Sequence, residues 1–328
     1  MKKVTLKDIA DDLNVTVGTV SHVFNGIDDI SEATKARVWE AANRLGYIPN
    51  GAAASLRSKR TKTIAVIGAD ITNPLISRQI HLIEEQLKAL DLGTLIFFSN
   101  EKEEEEFKAI MIACVQRVDG ILLCPTEHGR KHVQFLERQE VPYVLVGRRF
   151  PDIDSDYVCA DDHKSGMLIG EYLSEHGWTS PVYFGAKNCF EFSDLRFQGM
   201  ADAFSEKGIT IGDERFIHVN PTMDNWKSAV DDLLASDMKF DCIFASFDTL
   251  AFRIMSYLKE RGYERIPVVG VDALQKHLCL PFSHVSVEMV DRGWAEEACS
   301  ALLAKINGST ERCQKRIDVR LVESTFPS

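Results

Sequence analysis

From Thr63 onward the chain alternates short, almost wholly apolar runs with longer stretches of helical spacing. The runs are Ile64 to Ile67, Thr94 to Phe98, Gly120 to Leu123, Tyr143 to Val146, Val182 to Phe184, Phe216 to Val219, Cys242 to Ala245 and Val268 to Val271. A strand that is apolar on consecutive residues has to be covered on both faces. Parallel sheets sandwiched between helices meet that demand, and right-handed crossovers wind such a chain into a doubly wound α/β layer. Eight strands exceed one compact sheet of the usual size, and an acidic helical stretch starts midway, at Asp161. The pattern therefore predicts two similar lobes with a ligand cleft between them.

The first sixty residues read differently. Thr5 and Asp8 have the spacing of a helix-starting capping box, and Leu6, Ile9, Ala10 and Leu13 fall on one helical face. Asn14 suits a left-handed turn. Thr16 then caps a second helix whose Val20, Val23 and Phe24 point inward, leaving Val17, Gly18, Ser21, His22 and Asn25 on the opposite side. Ser31 starts a third helix with Val38, Ala41 and Leu45 inward, closed by Gly46. Three short helices around one small core, the second with a polar outer face free of long charged side chains, predict an all-α helix-turn-helix head.

Net charge is −11 over 328 residues, which by itself argues against a nucleic-acid partner, because phosphate contacts need clustered cations. The local balance reverses that argument. Residues 1–62 hold ten Lys and Arg against seven Asp and Glu, so the rest of the chain carries fourteen net negative charges. A basic head on an acidic body restricts the orientation in which DNA is approached. No apolar run nears the ~20 residues needed to cross a bilayer, and Met1-Lys2-Lys3 leads into an acidic helix, so a cytoplasmic protein without membrane contact is expected. The eight cysteines are scattered without a Cys-x-x-Cys pair, so no disulfide framework, metal site or cofactor is expected. Nucleotide-binding and nucleophile motifs are missing, no catalytic residue is assigned, and an enzyme is not expected.

Through Val4-Thr5-Leu6-Lys7-Asp8-Ile9-Ala10, Val20-Ser21, Phe24-Asn25-Gly26, Leu45-Gly46-Tyr47-Ile48-Pro49-Asn50 and Ala54-Ser55-Leu56-Arg57 the chain resembles the lactose and galactose repressor (LacI/GalR) family. The likeness extends more loosely over the remaining length. It implies a DNA-binding head at 1–48, a hinge helix and linker at 49–62, and a two-lobed core at 63–328 resembling periplasmic binding proteins. The implied N-lobe takes in about 63–160 and 292–318, the C-lobe about 161–288 and 322–328. It also implies a sequence-specific transcriptional regulator, more often a repressor, that binds palindromic operator DNA and answers to a small sugar or phosphosugar. The chain ends at Phe326-Pro327-Ser328 without a leucine heptad, so a homodimer is expected. The rivals are a sugar-binding receptor, which would need a secretion signal in place of the head, and a sugar-active enzyme on the same core.

The resemblance assigns Val17, Gly18 and His22 to base edges: Val17 to a thymine methyl and His22 to a guanine acceptor, with Gly18 allowing close approach. Thr5, Thr16, Thr19, Ser21 and Asn25 suit phosphates, and Tyr47, Asn50 and Ala53 are counted with the DNA contacts. Residues 50–57 are too few to hold a helix alone and are expected to order against a second copy and DNA. The resemblance places Leu56 in the minor groove as a wedge, with Arg57, Lys59, Arg60 and Lys62 beside it on phosphates. For the effector it points to Asp70, Asn73, Arg148, Arg149, Ser193, Arg196, Trp226, Asp248 and Asp272, a mix of charged groups and one aromatic suited to a hydroxyl-rich ligand. Gly147 and Phe247 depart from the family's polar residues. The set Arg148, Arg149 and Arg196 favours an anionic sugar, and Ser193-Asp194-Leu195-Arg196 looks closest to fructose- and sucrose-type repressors.

Overall fold

The computed structural model of the chain describes residues 4–24, 27, 29–48, 60–220, 222–289 and 291–324, with 291 and 292 described by backbone alone. Asn25, Asn50, Ala53, Leu56 and Arg57, and with them the expected hinge from 49 to 59, lie outside the described residues. The chain divides into two compact units between Thr61 and Lys62.

The first unit holds α1 (Leu6–Leu13), α2 (Val17–Phe24) and α3 (Glu32–Leu45). Thr5 and Asp8 form the capping box in full, Asn14 is left-handed at φ +54°, and Ser31 caps α3, which Gly46 ends. Ile9, Ala10, Val20, Val23, Val38, Ala41 and Ala42 make the core, as the helical spacing requires. Phe24 closes it, with Trp39 edge-on at 5.0 Å and Tyr47 at 5.3 Å.

The second unit begins as β1 (Thr63–Gly68), α4 (Pro74–Ala89), β2 (Gly93–Phe98), α5 (Glu103–Val115), β3 (Gly120–Leu123), α6 (Arg130–Arg138), β4 (Tyr143–Val146) and β5 (Tyr157–Ala160). It then crosses into α7 (Asp162–Glu175), β6 (Pro181–Gly185), α8 (Glu191–Glu206), β7 (Phe216–His218), α9 (Trp226–Ala235), β8 (Cys242–Ala245), α10 (Asp248–Glu260), β9 (Val268–Val271), α11 (Leu274–Leu278) and β10 (His284–Met289). It returns through α12 (Asp291–Ile306) and β11 (Gln314–Ile317), and crosses once more into β12 (Val319–Ser324). Among the described residues the strands form two six-stranded sheets, ordered β11-β5-β4-β3-β1-β2 and β12-β10-β9-β8-β6-β7. Only the β10–β12 pair is antiparallel. The chain thus passes between lobes three times.

All eight apolar runs are strands, and the structure adds β5, β10, β11 and β12. Lys62, expected in the linker, already belongs to the second unit. Its N–H donates to Asp119 at 3.0 Å, its carbonyl accepts from Gly93 at 2.7 Å, and its ammonium pairs with Asp91 at 2.7 Å. Helix α12 packs under the first sheet through Trp294, whose indole N–H donates to the Val158 carbonyl at 3.2 Å.

In the second lobe, α7 and α8 touch backbone to backbone. A Cβ on Gly166 would stand 2.0 Å from the Arg196 carbonyl oxygen, and one on Gly199 would stand 2.0 Å from that of His163. Neither neighbour is a flexible side chain, so the helices would have to separate. Gly199→Ala is therefore expected to destabilise the second unit by about 1–3 kcal/mol, the usual scale of overpacking, read as a lowered urea midpoint with the slope unchanged.

Candidate functional site

On the head, the outer face of α2 presents Val17, 44% exposed, with Gly18, Ser21 and His22. Thr16 Oγ1 accepts the Thr19 N–H at 3.0 Å and lies 2.9 Å from the Thr19 hydroxyl, fixing the start of this helix. His22 Nδ1 sits 3.0 Å from Asp29, so that pair engages Nδ1 and not Nε2. Thr5 is exposed, its hydroxyl engaged with Asp8 in the cap, and the Tyr47 ring rests on Phe24.

In the second unit, a cavity of about 330 Å³ opens between the lobes, in the range of sites for small molecules. Asp70, Asn73, Asn100, Glu101 and Arg148 line it from one lobe, and Asp162, Phe190, Phe192, Arg196, Asn220, Ser246 and Asp272 from the other. Ala160, Met289 and Val319, at the three crossings, line it too. Arg196 is held by Asp162, with Nε at 2.9 Å and Nη2 at 2.8 Å from Oδ1, while Nη1 donates to the Ser246 carbonyl. Burial pushes the Asp162 carboxyl up, and the Arg196 charge opposes that shift. Arg148 forks onto both oxygens of Glu101 at 2.9 and 2.8 Å and lies over the Phe190 ring, 4.0 Å from its centroid. Phe192 stacks on Phe190 at 5.4 Å and faces the Arg196 guanidinium at 5.0 Å.

Asp272 is 8% exposed. Burial pushes its carboxyl well above the usual carboxylate range, with the Asp248 and Asp162 charges adding, while Arg196 and the Asp248 N–H pull the other way. The Ser246 hydroxyl is buried with no hydrogen-bond partner among the described residues. The cleft thus offers donors, acceptors and a flat aromatic face; of the three arginines that line it, Arg148 and Arg196 are each matched by a carboxylate, and Arg253 is exposed. At Arg148 and Arg196 an anion would have to compete with Glu101 and Asp162 for the guanidinium groups, whereas hydroxyls can bond to the outer edges of both pairs.

Of the effector residues expected from sequence, Asp70, Asn73, Arg148, Arg196 and Asp272 come together on the cavity. Four do not. Arg149 lines a side crevice, over Tyr157 and ion-paired with Glu191, so it clasps one lobe to the other. Ser193 lies behind the wall at Gly185, with its hydroxyl 3.2 Å from the Tyr183 hydroxyl. Trp226 packs edge-on against Tyr257 at 5.6 Å, where α9 docks on α10. Asp248 is fully buried behind the wall and spends its carboxylate on His284, Ser286 and Leu274. Arg148, Arg149 and Arg196, the set expected to favour an anionic sugar, are all ion-paired. Sequence reasoning missed Asn100, Glu101, Asp162, Phe190, Phe192, Asn220, Ser246 and Arg253, all of which line the cavity. The only signal for Asp162 was its place at the start of the acidic helix.

Comparison with known proteins places this geometry. Residues 5–50 match the family profile described as bacterial regulatory proteins, lacI family, and residues 61–300 match that of periplasmic binding proteins and the sugar binding domain of the LacI family. The chain is 27% identical over 287 residues to catabolite control protein A of Priestia megaterium, covering 82% of each chain. It is 27% identical over 276 residues to the HTH-type transcriptional regulator DegA of Bacillus subtilis, again covering 82% of each. Among solved structures, a complex of the transcriptional regulator CelR with cellobiose matches at TM-score 0.70 and 25% identity, covering 98% of this chain and 99% of that one. The lac repressor dimer bound to operator and the anti-inducer ONPF matches at 0.84 and 20% identity over the whole of both chains.

The raised Asp272 carboxyl makes a stability prediction whose sign follows from linkage. Folding favours its protonated form, so the cost of ionising it grows as pH rises above the ordinary carboxylate value of about 3.9 and levels off beyond the raised value. Asp272→Asn removes that cost. The variant is expected to melt a few degrees above the parent near pH 7, with the gap closing toward about pH 4, in thermal unfolding across that range.

Proposed function

The chain belongs to the LacI family of bacterial regulatory proteins, and on that footing we propose that it is a cytoplasmic transcriptional repressor whose hold on a palindromic operator is released by a small neutral sugar in the interlobe cleft. The observation that carries the reading is the Arg196–Asp162 pair facing Asp272 in a polar cavity with an aromatic wall. Neutral hydroxyls suit such pairs, each able to accept from a guanidinium and donate to a carboxylate. The regulator described in complex with cellobiose supports a neutral saccharide. On the head, Val17, Gly18 and His22 read base edges while Thr5, Thr16, Thr19 and Ser21 set register on phosphates.

A homodimer is part of the proposal. Phe107, Met111, Ile112 and Val115 on α5 and Ile96 on β2 are exposed apolar side chains, Val115 by 73%, and a second copy covers such a surface. Catalysis is not part of it. The cleft's thiol, Cys124, is pushed up to about 11 by burial and stays protonated, far from the thiolate a nucleophile needs. No helix among the described residues is long and apolar enough to cross a membrane.

The test uses the full chain. An operator is selected from a randomised palindromic pool, and its affinity is followed between about 50 and 200 mM salt, where phosphate contacts predict a steep linear fall of log affinity with log salt. Glucose, fructose, sucrose, maltose and cellobiose are then compared with glucose 6-phosphate and fructose 1-phosphate. One neutral sugar is expected to raise the melting temperature and weaken operator binding by about 5- to 150-fold. Arg196→Ala is expected to abolish that response while sugar-free operator binding persists. A pool that yields no enriched site defeats the regulator reading, and a response confined to phosphorylated sugars defeats the neutral one.

A further inference from the structure

Behind the cleft wall, three elements converge on one carboxylate. Asp248 Oδ1 accepts the Ser286 hydroxyl at 2.8 Å and lies 3.0 Å from His284 Nε2, and Oδ2 accepts the Leu274 N–H at 2.7 Å. The Ser286 oxygen in turn accepts the Ala273 N–H at 3.0 Å. Both amides that follow Asp272 are therefore held from Asp248, one directly and one through a hydroxyl. The N–H of Asp272 donates to the Val287 carbonyl at 2.9 Å. His284 Nδ1 has no partner among the described residues, so a neutral ring with its proton on Nε2, donated to Asp248, leaves a bare lone pair in place of an orphaned N–H.

The turn these bonds hold is unfavourable by itself. Asp272 has φ +116° and Ala273 φ +51°, two successive non-glycine residues on the side of the map that L-residues avoid. Gly270 leaves room for the clamp, since a Cβ there would stand 2.2 Å from Asp248 Oδ1 and 3.2 Å from His284 Nε2. Asp272 lines the cavity, whereas Asp248, Ser286 and His284 do not. The geometry points to Asp248, Ser286 and His284 as positioning residues for effector binding: without touching ligand, they lock the strained Asp272–Ala273 turn that presents the Asp272 carboxyl to the cleft. This rests on the reading of the cleft as the effector site.

Full-length Ser286→Ala, Ser286→Thr and Asp248→Asn are compared with the parent by two readouts. One is amide exchange at Ala273 and Leu274 without sugar; the other is calorimetric affinity for glucose, fructose, sucrose, maltose and cellobiose. Ser286→Ala and Asp248→Asn are expected to exchange those amides roughly tenfold faster and to bind the sugar that the parent binds roughly tenfold more weakly, the weight of one hydrogen bond to a charged group. Ser286→Thr, which keeps the hydroxyl, is expected to match the parent in both. If Asp248→Asn fails to fold, the Ser286 pair decides. Exchange unchanged in Ser286→Ala overturns the clamp, and faster exchange at unaltered sugar affinity overturns the positioning role. A parent that binds none of the five sugars overturns the effector reading itself and this inference with it.

Discussion

Two opposite charges buried together, on Arg196 and Asp162, fix the geometry of the second lobe. Burying either one alone would be severely destabilising, so each commits the other's helix: Asp162 opens α7, Arg196 rides on α8. Nη1 of Arg196 ties both to the carbonyl of Ser246, just after β8. This can happen only because Gly166 and Gly199 let the two helices meet without intervening side chains. Packing, desolvation and the polar face of the cleft meet at a single contact, where burial pushes the Asp162 carboxyl up and the Arg196 charge opposes it.

Where burial is two-sided, the pattern of residues is enough. Six of the eight apolar runs are interior strands, as parallel sheets covered by helices demand, while β2 and β7 lie at sheet edges. The additional strands escape that rule for separate reasons. Gln314-Lys315-Arg316 of β11 is exposed on an edge and has no apolar run to show. His284, Ser286 and Glu288 make β10 look like a polar surface strand, yet all three are buried, the first two by the Asp248 network and the third among Lys276 and Arg320. The site divides the same way. Asp70, Arg148 and Asp272 were legible because ligands of α/β sheets gather at strand ends, but Arg149 and Asp248 share that placement in sequence and differ only in which neighbour claims their side chains. Phe190 reaches the cleft through Arg148, far back along the chain, a contact that no local pattern encodes, whereas Phe192 faces Arg196 one helical turn on.

Each lobe also delivers a carboxylate to the cleft from a strained bend. Asn100 and Glu101, after β2, have φ of +49° and +57°, as Asp272 and Ala273 after β9 have positive φ. Glu101 is spent on Arg148, while Asp272 is turned to the cavity. Backbone strain of this kind persists only where surrounding bonds over-determine it, and here it lies at the end of a strand on both sides of one cavity. The two lobes thus use a common local device for different ends: one neutralises a cation, the other keeps an acid ready.

The three passages of the chain between lobes are more than connections, since Ala160, Met289 and Val319 line the cavity as well. A rotation of one lobe against the other has to twist those same three ribbons, which are part of the cavity wall. Occupancy and torsion are then one mechanical variable, like a pebble caught in the spine of a book. A molecule that fills only the mouth can bind without bending anything, and one that reaches the spine sets the angle at which the covers stand.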